Sequence, residues 1–280
     1  MLCAALFSLP VAAADTAPPD KSQYTLFNPV PDEQLRSFQT DRPTKSDTAY
    51  TVDAGHFQYE SDAVNWTYDH NNTAHITTSN LSITDVVLKA GLTQNTDLEI
   101  ALAPLNLNQT NDRTTGAQNT AAGFGDVYTR VKYNFFGNDG GDYILAIVPY
   151  VKAPTAAHNV GNNHWEGGVY APFVMNLPSS WIMSVTSEMD ILENAALNGT
   201  HTNFQNLINF GHPLFTDSLT GYVEFWSDVN NDANAPTQYT ADFALAWLVT
   251  DNLQLDCGVN VGVNKAANDL QPYLGVSQRF

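Results

Sequence analysis

The chain has 280 residues, enough for one large all-β domain or two ordinary ones. Its formal charge of −18, from 11 basic and 29 acidic residues, opposes nucleic-acid binding, and no basic patch interleaved with aromatics occurs. A transmembrane helix is excluded because no run of about 18 apolar residues is present. A membrane β-barrel is not, since its lipid-facing and lumen-facing residues average to an ordinary 43% hydrophobic content.

The first stretch, "LCAALFSLPVAAADTA", is apolar and then small, which predicts a signal peptide over residues 1–14. Ala12-Ala13-Ala14 forms the cleavage site before Asp15. The basic n-region is missing, so the expected true start lies upstream; a short buried helix is the alternative. Cleavage removes Cys3 and leaves Cys257 alone, with no disulfide framework, cysteine metal cluster or other call for a metal or cofactor. Residues 15–48 include "APPDKSQYTLFNPVPDEQ" and carry no sustained period. They are expected to form a periplasmic lead-in or a plug segment tucked into a barrel mouth, ahead of a barrel over 49–280.

From Gly55 onward, period-2 stretches alternate with turn clusters, the pattern of an all-β barrel. The first strand, "HFQYESDAVNWTY", changes phase near Ala63, which predicts a bulge. "GDVYTRVKYNF" places Val127, Thr129, Val131 and Tyr133 on one face, and Asp126, Tyr128, Arg130, Lys132 and Asn134 on the other. "YILAIVPYVKAP", "EGGVYAPFVMN", "WIMSVTSEMD", "LTGYVEFW", "ADFALAWL" and "LQLDCGVNV" repeat the alternation, and the count to the terminus is twelve strands. Val131, Leu145, Phe173, Val185, Val223 and Leu245 are predicted to face lipid.

Short connections ("TQNTD", "FGNDGG", "LPSS", "FTD", "TDN") alternate with long polar ones. The long set includes "NLNQTNDRTTGAQNTAAGFG", "TAAHNVGNNHW", "NAALNGTH" and "DVNNDANAPTQ". That asymmetry describes an antiparallel transmembrane outer-membrane barrel with both termini on the periplasmic side; a soluble sandwich is the alternative. The ending "YLGVSQRF" fits it. A last strand must pair with the first to leave no open edge in lipid, and Phe280 belongs to the interfacial aromatic girdle. Tyr273, Gly275 and Phe280 resemble the C-terminal signal read by the barrel-assembly machinery, although Gln278 departs from the usual apolar residue.

Four stretches carry a more specific likeness: "TDRPTKSDTAYTVDAGHFQYE", "GFGDVYTRVKYNFFGNDGG", "WEGGVYAP" and "VTDNLQLDCGVNVGVNKAANDLQPYLGVSQRF". Over Thr40 to Phe280 the chain resembles the bacterial outer-membrane family labelled transporter or phenol-degradation (MetA-type) pathway protein. The resemblance implies a barrel that handles hydrophobic or aromatic compounds, and brings no catalytic residue.

No HExxH, Walker, GxSxG or CxxC motif occurs. Ser187 and His212 are the nearest candidates for a lipid-hydrolase pair, but their expected heights on successive strands differ by several residues. Asp228, Asn230 and Asp232 are spaced like the start of a calcium loop, yet no glycine and no closing glutamate follow. The inward face is richer. Lys89, Arg130, Lys132, Lys152 and Arg279 are predicted to share the lumen with Asp85, Glu99, Asp126, Glu166, Glu188, Asp190, Glu224, Asp242 and Asp256. Tyr128, Tyr150, Tyr170, Tyr222 and Trp226 join them as surfaces on which a flat solute can stack. The expected function is passive passage of a small-molecule solute through a channel set in outer-membrane lipid, with a modest cation preference from the acidic excess. A closed structural or adhesive barrel, and a lipid-modifying enzyme, are the alternatives; nothing sets an oligomeric state.

Overall fold

The computed structural model describes residues 20–196, 198–232 and 235–280. The expected signal peptide lies outside them. Fourteen hydrogen-bonded stretches join into twelve strands: β1 (Phe57–Asp69), β2 (Ile76–Thr93), β3 (Thr96–Leu102 continued by Leu105–Asp112) and β4 (Gln118–Gly123 continued by Val127–Phe136). Then follow β5 (Tyr143–Ala153), β6 (Glu166–Leu177), β7 (Trp181–Glu193), β8 (Thr200–Leu214), β9 (Thr216–Asn230), β10 (Gln238–Thr250), β11 (Leu253–Gly262) and β12 (Leu270–Arg279).

Each strand is antiparallel to its sequence neighbours, and β1 pairs with both β2 and β12, so the sheet closes on itself. Phe57 and Phe280 exchange two backbone hydrogen bonds at the seam, of 3.3 and 2.8 Å. Closure is what lets strands cross lipid without unsatisfied backbone groups. The outward rows are apolar and exposed, with Val131, Val223, Phe243 and Leu245 among them. Lys132, Glu99, Glu224 and Asp190 on the inward rows are almost wholly buried. In β1 the register skips Ala63, between Asp62 and Val64, and the inward phase moves from even to odd residues there.

One expectation is corrected. Residues 106–125 are not a loop: β3 and β4 continue through them as a protruding hairpin, with Leu107 opposite Ala122 and Gln109 opposite Thr120. The extension reads as a loop in sequence because both of its faces are polar above the lipid. Turns at the end that holds both strand termini run from one to six residues, and loops at the other end from five to twelve.

Residues 20–56 precede the barrel; 20–35 lie mostly exposed at its mouth, and 36–56 run inside it. Leu26 donates to Leu92 O at the base of β2, and Arg36 reaches Asp139 (2.9 Å) in the turn after β4. The chain then rises to Lys45, whose ammonium meets Asp242 of β10 at 2.9 Å. It turns back, and the Asn134 side chain donates to Ala49 O while Val52 N–H donates to Asp97 of β3. Ala49 packs with Ile144, Ala146 and Val174 in a small buried apolar cluster, where the lumen is not polar. Two inward glycines make the fit possible. A Cβ at Gly91 would collide with the Asp53 backbone, and one at Gly275 with the Arg42 guanidinium.

Candidate functional site

Charge is unevenly spread over the wall. Lys89 on β2, Arg130 and Lys132 on β4 and Lys152 on β5 share one sector, where they are interleaved with Asp97, Glu99 and Asp126. Asp62 on β1, Glu224 on β9, Asp242 on β10 and Asp256 on β11 lie in an acidic one. The segment inside carries the complementary order. Asp41 pairs with Lys89 and, at 2.7 Å, with Lys132. Arg42 pairs with Asp62 (2.5 Å) and Asp256 (2.6 Å). The Lys45 and Ser46 backbone N–H groups each donate to Glu224 at 3.0 Å. Glu99, fully buried, lies 3.3 Å from Lys132 and 3.8 Å from Lys89. At the mouth, burial pushes the Asp139 carboxyl up, but hydrogen bonds from Arg36 and Lys21 outweigh that and hold it below its ordinary value.

Other predicted lumen residues fall into separate groups. Asp126 and Glu166 hold Lys152 at 3.0 and 2.7 Å, and the loop of residues 154–165 caps the three, with Ala156 N–H donating to Asp126. Asp85 stands opposite Asp62 in register. Tyr222 covers Gly211, where a Cβ would strike its ring. Arg279 sits at the mouth on the side of the chain ends, donating to Arg36 O (2.7 Å) and Asn252. Tyr273 and Gly275 both serve Arg42, the ring lying 5.7 Å from the guanidinium carbon. Phe280 is exposed at the seam.

Above Lys45 the lumen opens into two adjoining cavities, of about 300 and 270 Å³, which share Lys45, Glu188 and Gln205. Tyr128, Tyr150 and Tyr170 form the wall of the first, with ring centroids 6.1 and 6.4 Å apart in tilted contacts. Trp226 lines the second; Lys45 Nζ stands 4.3 Å from its ring, and its Nε1 donates to Gln205 at 3.0 Å. A third cavity, of about 550 Å³, opens at the mouth on the side of the chain ends, around Arg36, Phe38 and Arg279, and shares no lining residue with the upper two.

Sequence reasoning missed Glu60, Asp62 and Asp97 on the wall, and Asp41, Arg42, Lys45 and Asp47 in the segment. The phase shift at Ala63, carried through β1, would have turned Glu60 and Asp62 inward. The segment residues have no periodic signal at all. The pairs weighed for other chemistry are apart or self-satisfied. Ser187 donates to Asn206 (2.8 Å), whereas His212 lies near the turn after β8 with its ring 4.5 Å from Trp181. In the suggested calcium loop, Asn230 accepts from Asp232 N–H, and the Asp232 carboxylate accepts from Ala195 N–H. Among the described residues no group of His, Cys, Asp and Glu could hold a metal ion.

The architecture matches solved outer-membrane proteins. The COG4313 outer membrane channel from Pseudomonas putida F1 superposes with a TM-score of 0.57 at 13% identity, over 86% of this chain and 100% of that one. The transport unit of the autotransporter AIDA-I from Escherichia coli gives a TM-score of 0.50 at 10% identity, over 87% and 93%. Both likenesses are of fold. No curated protein matches the sequence. The sequence profile described as "Putative MetA-pathway of phenol degradation" does match, over residues 40–280. With nearly the whole described chain under that profile and a closed twelve-stranded barrel beneath it, the protein belongs to this MetA-type family of outer-membrane barrels.

Proposed function

We propose that the protein is an outer-membrane channel for passive passage of small molecules, aromatic compounds among them, exported through a cleaved signal peptide. In this reading residues 36–56 are its plug, and the predicted lumen residues line its path. The observation that carries it is the two-sided wall: apolar rows outside, and inside a charged, tyrosine-bearing face with cavities above and below the segment. Charges cannot be turned to lipid cheaply, at about 2–4 kcal/mol for Arg or Lys at the midplane, so the inward face is built for water or solute. Tyr273, Gly275 and Phe280 present the terminal strand to the assembly machinery.

Planar-bilayer recording tests this reading. The chain lacking residues 15–56 is expected to give clear conductance steps, and the full chain smaller or rarer ones. At low salt a gradient should reveal modest cation preference, because Glu60, Asp62 and Asp97 add to the acidic side of the lumen. Silence from both folded proteins would sink the channel. It would favour a closed structural barrel, the second reading, which the ion pairs bridging wall and segment support.

A further inference from the structure

In the lower lumen every buried lysine and Arg42 has a close carboxylate, at 2.7 Å for Lys132–Asp41 and 2.6 Å for Arg42–Asp256, whereas two charged groups in the upper cavity lack a close partner of opposite charge. Arg130 makes no hydrogen bond to the described residues; its guanidinium has only ion pairs at 3.7 Å to Asp47 and 3.9 Å to Glu99, and it is a quarter exposed. Glu188 shares a side-chain hydrogen bond with Asp190, and no basic group of the described residues lies within ion-pairing distance of it. Both line the cavity, Arg130 on β4 and Glu188 on β7, with tyrosines on the strands between.

Those tyrosines are held in place. Tyr150 donates to Asp190 at 2.6 Å, across the position of Gly168. A Cβ on Gly168 would strike both Asp190 Oδ1 and the Tyr150 ring, so glycine there lets the ring lie along the wall. Tyr170 bonds Asp47 and stands opposite Glu188 in register. Three strand spacings and a two-residue offset in register separate Arg130 from Glu188, about 16 Å of sheet, which two long side chains narrow to the span of a small dipolar molecule.

We infer that this cavity is a binding site for a small aromatic zwitterion: carboxylate on Arg130, ammonium on Glu188, ring against Tyr150 and Tyr170. A guanidinium with free donors is suited to a bidentate carboxylate. A carboxylate among aromatic faces suits an ammonium. The charges facing the cavity (Lys45 and Arg130 against Asp47 and Glu188) balance, so neither a bare anion nor a bare cation is favoured overall. The volume suits a ligand at the small end of the usual range. The inference deepens the channel reading by naming a solute class, and Lys45 and Asp47 place the ligand on the tip of the segment.

Titration calorimetry on the full chain in detergent, with phenylalanine, 3-phenylpropionate and phenethylamine as probes, tests it. Phenylalanine should bind about tenfold tighter than either singly charged probe. E188Q should abolish its advantage over 3-phenylpropionate, and R130Q its advantage over phenethylamine, while R130K keeps part of it. Equal binding of a singly charged probe, or no saturable binding of phenylalanine by folded protein, overturns the site. Conductance of the same preparation is scored separately: binding without conductance leaves the site standing and removes the channel.

Discussion

Two levels of one lumen treat charge in opposite ways. Around Asp41 four strands converge on a buried network in which Lys89, Lys132, Glu60 and Glu99 are drawn together by the segment. One level up, Arg130 and Glu188 face a cavity, the first with loose partners and the second with none that is basic. Burying an ion is costly unless a partner and hydrogen bonds replace water. At the lower level the two lysines are each held close to a carboxylate of the segment or wall, although both Glu99 oxygens and one of Asp97 stay without a hydrogen bond. The upper level has left it to whatever fills the cavity, which is what separates a structural network from a ligand-facing one.

Substitutions can break this contrast, and the deepest should matter most. Asp41→Asn leaves Lys89 and Lys132 buried with less counter-charge and is expected to cost about 3–5 kcal/mol. Urea unfolding of the refolded barrel would show it as a lower midpoint at constant slope. An unchanged midpoint would mean that the network is hydrated and contributes little. Arg42→Gln is the next in size. Of its two carboxylate partners Asp62 keeps some water access while Asp256 is buried, so the expected cost is about 1.5–3 kcal/mol in the same assay. Arg130→Gln and Glu188→Gln should shift stability by no more than about 0.5 kcal/mol, because neither removes a hydrogen-bonded buried pair. A loss as large as that of Asp41→Asn at either position would erase the distinction between the two levels.

The barrel was legible because lipid on one side and water or polar packing on the other impose a period of two, which "VYTRVKYNF" displays residue by residue. The break at Ala63 was legible for the same reason, as a fault in a regular signal. The hairpin over 106–125 was not, since strands beyond the lipid lose the apolar half of their pattern while keeping their backbone pairing. The segment was least legible. Its conformation is set by partners such as Asp139, 103 residues from Arg36, and Asp256, 214 residues from Arg42, and no local rule encodes pairings at that separation. The same gap limited the site. Alternation turned Arg130, Tyr150, Tyr170 and Glu188 inward, but which inward charges would find partners depended on where Asp41 and Lys45 came to rest.

Arg42 also bears on the order in which the barrel folds. It joins Asp62 on β1 to Asp256 on β11 and packs on Gly275 of β12, so it straddles the one strand pairing that unites the two ends of the chain. Every other pairing links strands adjacent in sequence, and the seam therefore carries the largest loop-closure entropy. A contact that holds both sides of that joint together lowers the barrier to reaching it. Loss of Arg42 should accordingly slow folding more than it speeds unfolding, the behaviour of a residue whose contacts are already formed in the transition state.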